Sequence, residues 1–588
     1  MPRRGEQPAS SAGGGKLGPV SPEGGRRAGV AALIAVAAFA LLSGLRQIND
    51  PDYWTHLALG RAFAEAGTIF LPEPFVGAPA APDPAPAPFH ERVARAYLGS
   101  EWPFQLGLYG TFAAGGHAAV SAFVALCAAL AATLLAWPLA READPARAAL
   151  GALYCAAAIF VAHGRFSPRP EIVGAVLLAA ALRTALAFGE RPSWRPLVGL
   201  GAILALWAPV HVSWAVGAAL AGLVLALRPR LDFWRAQPLP LRLAALAAAA
   251  LVGLGAARFA WRVVEYLAPG GLLGGITEMQ PTWRYPALFL QLALLSGAGA
   301  VLAWGGRSGR AARLALCLVA ALLGAVVARN VGFAALAMIP GALEGIASWA
   351  PLGARAPRAV APACALGVAA LLALALLDRD PPFGAGVDWR WFPRDAAEFV
   401  RARPLLRPVF NSMDVGGYLD WAWNGRPRTF LDGRLADAAT LADHDAVVHG
   451  APAEPLSRRG ISTALVQPMY SSGRLLQAIA WFLRSPRWRI VRATDALVFA
   501  AEPLPTGLEP IPPSEAWKAV LRAADVLEDQ AERPPHLDFT RALALVQLGD
   551  RQAALEAFER GRQRFPRAAE QYRALGTALR GRSHPASP

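Results

Sequence analysis

Residues 28–57 read AGVAALIAVAAFALLSGLRQINDPDYWTHL, an apolar run that leads directly into a polar and aromatic cluster. The run from Ala28 to Leu45 is long enough to cross a bilayer as a helix. It has no small-residue cleavage site, so we interpret it as a retained helix rather than a cleaved signal. The cluster that follows holds two carboxylates, two aromatic rings and a histidine: Asp50, Asp52, Tyr53, Trp54 and His56. Such a density of polar groups at a membrane surface is typical of a functional site.

The rest of the chain repeats this apolar pattern many times. Of its 588 residues, 55% are hydrophobic and only 17% are charged, and the hydrophobic residues are gathered in long runs. The composition predicts a polytopic α-helical membrane protein with about eleven spanning helices. The predicted spans lie near residues 28–45, 117–140, 148–164, 171–188, 197–210, 212–227, 241–259, 287–304, 313–328, 331–348 and 359–377.

The formal net charge of +15 arises mainly from arginines in short clusters between the apolar runs. Clusters of this kind set membrane orientation, so we interpret the charge as topology rather than as nucleic-acid binding. Residues 1–27 are rich in Gly, Pro, Ser and Arg, and we expect them to form a disordered basic tail in the cytoplasm. The four cysteines lie inside apolar runs without metal-ligand spacing, so neither a disulfide nor a metal site is predicted from them.

The orientation follows from the arginine and lysine count. If the N-terminus is cytoplasmic, the loops richest in arginine also fall on the cytoplasmic side. The polar cluster after the first helix and the whole chain after residue 380 then lie outside. The same side receives charged residues that topology does not require: Arg165, Arg169, His211, Glu278, Arg284 and Arg329. Polar residues at the ends of spanning helices are functional candidates.

The membrane domain is predicted to cover residues 28–379, with a first outer loop at 46–116. That loop opens with a predicted helix over Pro51–Ala66, whose apolar positions suit a helix lying along the membrane interface. A proline-rich linker follows near residues 72–88.

The composition changes after the last predicted span. Residues 380–504 carry short β-like runs, one of them at Gly417–Leu419, between helical stretches, which predicts a small α/β extracytoplasmic domain. Residues 505–588 are helical throughout. They contain a helix, a Gly549-Asp550 turn, a second helix and a closing Phe565-Pro566, the order of a tetratricopeptide (TPR) unit.

Several short motifs, taken in their order, resemble bacterial membrane proteins of the GT-C superfamily. The Asp-Pro-Asp-Tyr-Trp-Thr-His-Leu sequence at residues 50–57 resembles the start of the first outer loop in an uncharacterised branch of that superfamily. The similarity continues through Glu101-Trp102, Arg165 to Pro170, Arg329-Asn330, Asn411-Ser412, Gly416 to Leu419 and Leu431 to Arg434. It departs at the turn before His211, which reads Ala-Pro-Val-His where that branch has an Asn before a His-Gly pair.

GT-C proteins are polytopic glycosyltransferases that use lipid-phosphate-linked sugars, and the resemblance implies a GT-C-like fold and reaction here. It implies a catalytic carboxylate on the first outer loop, Asp52 or Asp50, that takes the proton of an acceptor hydroxyl. The departing lipid phosphate needs cationic or hydrogen-bond donors. The expected substrate-binding residues are His56, Arg165, Arg169, His211, Glu278, Arg284 and Arg329. The implied function is transfer of a sugar from a polyprenyl-phosphate-linked donor to an acceptor on the outer face of the bacterial inner (cytoplasmic) membrane.

Structural roles account for some of the same residues. Asp50 followed by Pro51 is also typical of a helix N-cap, and Asp52 would then complement the helix dipole. Asp52 and His56 lie four residues apart, which fits either a carboxylate that orients an imidazole or a plain pair on one helix face. Arg165 and Arg169 can extend toward lipid headgroups. No residue cluster has metal spacing, although an Asp-x-Asp pair leaves a divalent cation open.

Two other classes of function compete with the transferase. In the first, the chain is a non-catalytic GT-C-like scaffold whose α/β and TPR-like parts, 380–504 and 505–588, bind envelope partners. In the second, it is a transporter, which is disfavoured because intramembrane polar residues are few and no half-to-half repeat is present. The expected partners are the lipid-linked donor, membrane lipids and a protein bound through residues 505–588, with no nucleic acid.

Overall fold

The computed structural model of the chain describes residues 22–77, 101–228, 231–267, 277–349, 356–378, 380–403, 409–434, 438–450, 453–528 and 533–581. Helices dominate the first two thirds. Their bounds are Pro22–Gly44, Pro51–Ala66, Trp102–Ala136, Pro145–Ala162, Pro170–Glu190, Trp194–Trp207, Trp214–Leu227, Leu231–Arg235, Leu239–Leu267, Pro286–Ala303, Arg310–Val326, Val331–Ala347 and Ala356–Leu377. The predicted tail at 1–27 lies mostly outside the described residues, but its last part, residues 22–27, already belongs to the first helix.

Each of the eleven predicted spans falls on one of these helices. Among the described residues, seven helices are long and apolar enough to cross a membrane: Arg26–Gly44, Trp102–Arg141, Pro145–Arg165, Pro170–Glu190, Pro286–Ala303, Ala328–Ala347 and Ala359–Leu377. Three shorter apolar helices accompany them, Trp194–Trp207, Trp214–Leu227 and Leu239–Gly255. The chain is therefore a multi-helix protein of membrane type, and the number of spans stays a prediction.

Small residues let the helices of this bundle approach closely. The helix Val331–Ala347 is buried along nearly its whole length. A side chain at Gly345 would collide with Leu302 and Ala303 on the neighbouring helix. Glycine and alanine at such contacts give the backbone proximity on which helix packing in lipid depends.

The helix Pro51–Ala66 begins as the sequence indicates. Asp50 is its N-cap and accepts a hydrogen bond from the backbone N–H of Asp52 at 3.0 Å, and Pro51 fills the first helical position. Its aromatic residues do not face lipid as expected for an interfacial helix. Tyr53 and Trp54 are fully buried, because the helix packs against Trp102–Ala136 and against Met413–Trp423. The second of these helices belongs to the predicted α/β domain at 380–504, which we call the outer domain after its predicted side.

The last spanning helix is joined to the first one beside this cluster. Arg46 is buried, and its guanidinium donates to the carbonyl oxygens of Asp378 at 2.8 Å and Pro381 at 2.9 Å. Further along, the backbone N–H of Ile48 donates to the carbonyl of Gly386 at 2.8 Å. The segment that enters the outer domain therefore runs alongside the segment that leads to Asp50.

The outer domain is built on a small mixed sheet. Its four strands are β1 (Val409–Asn411), β2 (Thr463–Val466), β3 (Trp488–Ala493) and β4 (Leu497–Ala501), in the order β1-β2-β4-β3. β1 and β2 are parallel, and the other pairs are antiparallel. Helices Arg394–Arg401, Met413–Trp423, Ala438–Val448, Ala453–Arg458 and Gln477–Arg484 lie between or beside the strands.

One predicted strand is wrong. Gly417–Leu419 belongs to the helix Met413–Trp423, and the Gly416-Gly417 pair is helical rather than a turn before a strand. The two glycines mark close packing instead of a turn. A Cβ on Gly416 would collide with Leu431 and Asp432, and one on Gly417 would collide with Thr55 and lie 3.1 Å from the carbonyl oxygen of Pro51. The pair therefore brings the outer domain against the helix that begins at Pro51.

We expect Gly417→Ala to destabilise the protein by about 1–3 kcal/mol, because the added methyl group forces the two helices apart. Thermal unfolding in detergent measures the effect. The matched control is Gly107→Ala, since Gly107 is also helical but has nothing within 4 Å of the position that an added methyl group would take. That control should be neutral or slightly stabilising. Equal melting temperatures for the two variants would contradict this packing role.

The C-terminal part is helical, with helices Pro513–Glu528, Leu537–Gln547, Arg551–Arg564, Pro566–Ala569 and Arg573–Arg580. The second and third of these, Leu537–Gln547 and Arg551–Arg564, form a hairpin. Gly549 has a φ of +86° at its turn, and Asp550 caps the second helix by accepting from the backbone N–H of Ala553 at 3.0 Å. The hairpin has the predicted order of elements, and its assignment as a tetratricopeptide stays a prediction.

Candidate active site

Asp50 and Arg169 form the centre of a buried ionic cluster. Arg169 precedes the helix Pro170–Glu190. Its Nε and Nη2 both donate hydrogen bonds to the carboxylate of Asp50, and Nη2 lies 2.8 Å from Oδ1. The same Nη2 lies 3.3 Å from Oδ2 of Asp52. Asp50 is thus both a helix N-cap and half of an ion pair, while the Asp52 side chain keeps 36% of its surface exposed.

Two more arginines and two glutamates extend the cluster. Nη1 of Arg165 lies 2.7 Å from Oε2 of Glu278. Arg329 reaches both glutamates, with Nε 2.8 Å from Oε1 of Glu171 and Nη1 3.1 Å from Oε1 of Glu278. Arg169 also approaches Glu278 at 3.4 Å. Residues from four separate connections therefore meet at one end of the helical bundle.

Two histidines and a third glutamate line the buried side of the cluster. His211 Nε2 lies 3.6 Å from Glu101 and 3.7 Å from Glu171. Its Nδ1 accepts the backbone N–H of Ser213 at 3.2 Å, so a neutral ring carries its proton on Nε2, facing these carboxyl groups. His56 turns toward Glu101, 3.8 Å away, and toward Gln105 rather than toward Asp52.

The two aspartates have opposite shifts of pKa. Burial acts to raise the pKa of Asp50, but the guanidinium of Arg169 outweighs it and holds that pKa below its usual value. For Asp52, burial is again the largest effect, the neighbouring Asp50 and Glu278 add to it, and Arg169 and Arg329 oppose it only in part. The pKa of Asp52 rises to about 6. Asp50 is therefore ionised at neutral pH, whereas Asp52 can gain and lose a proton in that range.

Burial is also the largest single effect on the pKa of the other titratable groups, although neighbouring charges outweigh it at Glu278. It lowers the pKa of His56 and of His211 to about 4, so both rings are neutral at physiological pH. Burial, with Glu171 nearby, raises the pKa of Glu101 to about 8. For Glu278, the three arginines outweigh the effect of burial and lower its pKa. Glu101 therefore holds its proton at pH 7 and can donate a hydrogen bond.

The cluster does not fit a resident divalent cation. Within the described part of the chain, no group of three or more His, Cys, Asp or Glu side chains is arranged to bind a metal ion. Asp50, Glu278 and Oε1 of Glu171 already accept hydrogen bonds from guanidinium groups, and these positive groups would repel a cation.

The outer domain passes close to Asp52 and leaves it partly exposed. A Cβ on Gly433 would lie 2.8 Å from Oδ1 of Asp52. Because glycine has no side chain, the backbone at Gly433 can approach this carboxylate closely. The next residue, Arg434, donates to Glu73 of the first outer loop at 2.8 Å and pairs with Asp432. Loop and outer domain are thereby held together over the site.

Most predicted site residues meet in this cluster, namely Asp50, Asp52, His56, Arg165, Arg169, His211, Glu278 and Arg329. Arg284 does not. It lies in the short turn Thr282–Arg284, where Thr282 is buried and donates to the carbonyl of Gly324, which turns Arg284 outward to an exposed position. Sequence reasoning missed Glu101 and Glu171 as members of the site. Glu171 could have been found as an acidic residue at the start of a long apolar run.

The helical bundle and the α/β part that follows it have a GT-C-like fold, as the likeness to one solved structure shows. A solved structure of the archaeal oligosaccharyltransferase AglB from Archaeoglobus fulgidus, in complex with an inhibitory peptide and a dolichol-phosphate, is similar over 89% of this chain and 86% of that one. Its TM-score is 0.51, with 11% sequence identity. AglB is a membrane glycosyltransferase of the GT-C superfamily.

A second solved structure is an oligosaccharyltransferase of Archaeoglobus fulgidus in complex with Zn and sulfate. The similarity covers 94% of this chain and 86% of that chain, with a TM-score of 0.45 and 13% sequence identity. No protein-family model matches the sequence, and no curated protein matches it either. The likeness is therefore one of fold.

Proposed function

We propose that this chain is a membrane glycosyltransferase that moves a sugar from a polyprenyl-phosphate-linked donor to an acceptor at the outer face of the bacterial inner membrane. One observation carries the proposal. Asp52, a partly exposed carboxylate that can change protonation near neutral pH, lies beside Arg169 in a cluster of three arginines. General base and phosphate-binding cations are the two kinds of group that this transfer requires.

Asp52 is proposed as the general base. The acceptor hydroxyl gives its proton to the Asp52 carboxylate while the acceptor oxygen forms a bond to the anomeric carbon. The bond between that carbon and the donor phosphate breaks, and the phosphate leaves with the electron pair. Asp50 does not compete for the proton, because its salt bridge with Arg169 keeps it ionised. Asp50 instead fixes the position of the arginine.

The arginines are proposed to stabilise the departing phosphate. Arg165 and Arg329 keep 27% and 26% of their side-chain surfaces exposed, so both can reach a ligand without leaving Glu278. Guanidinium groups form charge-assisted hydrogen bonds with phosphate oxygens, and these bonds strengthen as negative charge develops on the leaving group. Neutral Glu101 and the Nε2–H of His211 supply further donors on the buried side.

The position of the site favours a lipid-linked donor. The clustered residues lie at the ends of long apolar helices, where a polyprenyl chain can remain in the bilayer while its phosphate enters the cluster. The AglB structure of similar fold contains a dolichol-phosphate. The proposal includes the predicted orientation, with the N-terminus cytoplasmic and the α/β domain extracytoplasmic.

Reconstitution tests the proposal directly. The full chain in proteoliposomes is given radiolabelled undecaprenyl-phosphate-linked sugars, with a membrane extract as the acceptor source. Transfer of label into a product that the Asp52→Asn variant does not make is the expected result. Release or transfer of label at equal rates by the wild type and by protein-free liposomes would contradict it.

The rate is expected to depend on pH through Asp52. The carboxylate is the active form, so kcat/KM should fall about tenfold per pH unit below pH 6. It should be highest between about pH 7 and 8 and decline above pH 8, where Glu101 loses the proton that it donates. In Glu278→Gln a neighbouring negative charge is lost, and the midpoint should move to lower pH. A midpoint near pH 4 in the wild type would contradict the raised pKa of Asp52. Circular dichroism at each pH controls for unfolding.

A further inference from the structure

We propose that a cleft between the start of the helix Pro51–Ala66 and the outer domain binds the acceptor, and that this acceptor is a saccharide. The inference rests on the proposed function, because it assigns the second substrate of the same site. We call this space the outer-domain cleft. Its volume is about 830 Å³, and its walls include Asn49, Pro51, Trp389, Trp391, Asp414 and Tyr470.

The cleft borders the segment of chain that carries the two aspartates of the candidate active site. Asn49 and Pro51, which line it, are the residues on either side of Asp50, and Asp52 follows next along the chain. The opposite wall is formed by the segment 389–395, by residues 467–471 and by the helix Pro513–Glu528. A molecule in the cleft would therefore extend from the start of the catalytic helix over the outer domain.

Aromatic side chains give the cleft flat apolar surfaces. Trp389 is 40% exposed, and its ring also packs against the buried ring of Trp54, with 5.7 Å between the ring centroids. Trp391 and Tyr470, both partly exposed, lie along the same walls. The C–H faces of pyranose rings pack well against indole and phenol rings, which bury a large area at a small entropic cost.

Polar groups that suit hydroxyls alternate with these rings. Asp395 and Asp414 are exposed at the cleft, and Gln467 supplies an amide. Asn49 donates to Asp380 at 2.7 Å at the membrane end. Carboxylates and amides accept and donate the hydrogen bonds that a polyhydroxylated ligand offers in many directions. The combination of a few placed polar groups with aromatic walls is characteristic of small-molecule sites, and the volume is large enough for several sugar rings.

The charge of the cleft separates it from the donor site. Its walls carry Asp380, Asp395, Asp414 and Asp495 against Arg390 and Arg522, and Arg390 is paired with Asp388 at 2.7 Å. A phosphate would be repelled here and attracted by the arginines on the other side of Asp50. A neutral saccharide has no such conflict. A basic peptide would also satisfy the charge, but it would leave the broad aromatic walls with less to contact.

An array experiment tests the assignment without relying on activity. The full chain, purified in detergent and labelled with a fluorophore, is applied to an array that carries neutral and acidic oligosaccharides beside Lys- and Arg-rich peptides. We expect saccharide binding that Trp389→Ala and Asp414→Asn each weaken about tenfold. The matched controls are Trp137→Ala and Asp445→Asn, whose side chains are similarly exposed elsewhere, and they should bind as the wild type does. Asp414→Asn guards against misfolding of the tryptophan variant.

Each other outcome overturns the inference. Binding of basic peptides alone, weakened by the same variants, assigns the cleft to a peptide. If saccharides bind and neither variant changes that binding, the acceptor site lies elsewhere. If neither saccharides nor peptides bind, the cleft does not bind the acceptor. Binding of undecaprenyl phosphate in detergent is measured in parallel. If the wild type fails to bind that lipid while the array result stands, the proposed function fails and the cleft remains a saccharide site.

Discussion

Replacing Asp52 with asparagine is expected to lower the rate of sugar transfer by about 10²–10⁴-fold while the protein remains folded. Asparagine keeps the size of the side chain but cannot take the proton of the acceptor hydroxyl. Because Asp52 has a pKa raised to about 6 and lies among other carboxylates, removing its charge should not harm stability. The measurements are the transfer rate in proteoliposomes and the melting temperature in detergent.

Asp445→Asn is the matched control, since Asp445 is an exposed carboxylate on the outer-domain helix Ala438–Val448. It should transfer sugar as the wild type does. If Asp52→Asn also keeps full activity, Asp52 is not the base. If Asp52→Asn keeps a cellular glycan phenotype that deletion of residues 505–588 abolishes, the chain acts as a scaffold.

Arg169→Gln is expected to abolish transfer and to destabilise the protein by about 3–5 kcal/mol. Asp50 is only 9% exposed, and Arg169 is the partner that binds its carboxylate through two nitrogens. When Arg169 is replaced, the negative charge of Asp50 stays buried and loses this partner. Denaturation in detergent, followed by tryptophan fluorescence, measures the loss of stability. Arg284→Gln is the control, because Arg284 lies on a neighbouring turn but outside the cluster.

A double variant separates stability from catalysis. In Asp50→Asn/Arg169→Gln the buried charge is removed with its partner, so a large part of the lost stability should return. Transfer should stay at the level of Arg169→Gln, because the cation is still missing. Recovery of activity in the double variant would show that Arg169 acts only through folding.

The sequence predicted the helices of this protein well, because long apolar runs and helix caps are local signals. The Asp50-Pro51 cap and the helix Pro51–Ala66 lie where the pattern indicated. The count of arginines and lysines in the loops predicted that Arg165, Arg169, His211, Glu278 and Arg329 lie on the same side of the membrane. In the structure these residues lie close together and form ion pairs at one end of the bundle. Knowing which loops share one side of the membrane was enough to group these residues, and the packing of the helices did not have to be known.

Details that depend on contacts between distant segments could not be predicted. The Gly416-Gly417 pair has the composition of a turn, yet it is helical because two other segments approach it closely. His56 shares a helix with Asp52, but its partners Glu101 and Gln105 come from the next helix. Arg284 has the same charge and the same predicted side as its neighbours, yet it is exposed on a short turn whose buried residue is Thr282.

The contacts of Arg46 have a consequence for biosynthesis. Its guanidinium binds carbonyl groups at residues 378 and 381, and Ile48 pairs with the chain near Gly386 and Asp388. The loop with Asp50 leaves the ribosome more than 300 residues before these partners do. During synthesis this loop is therefore held in place by none of them, and the site acquires its final geometry only when the last spanning helix has been inserted and the outer domain has begun to fold.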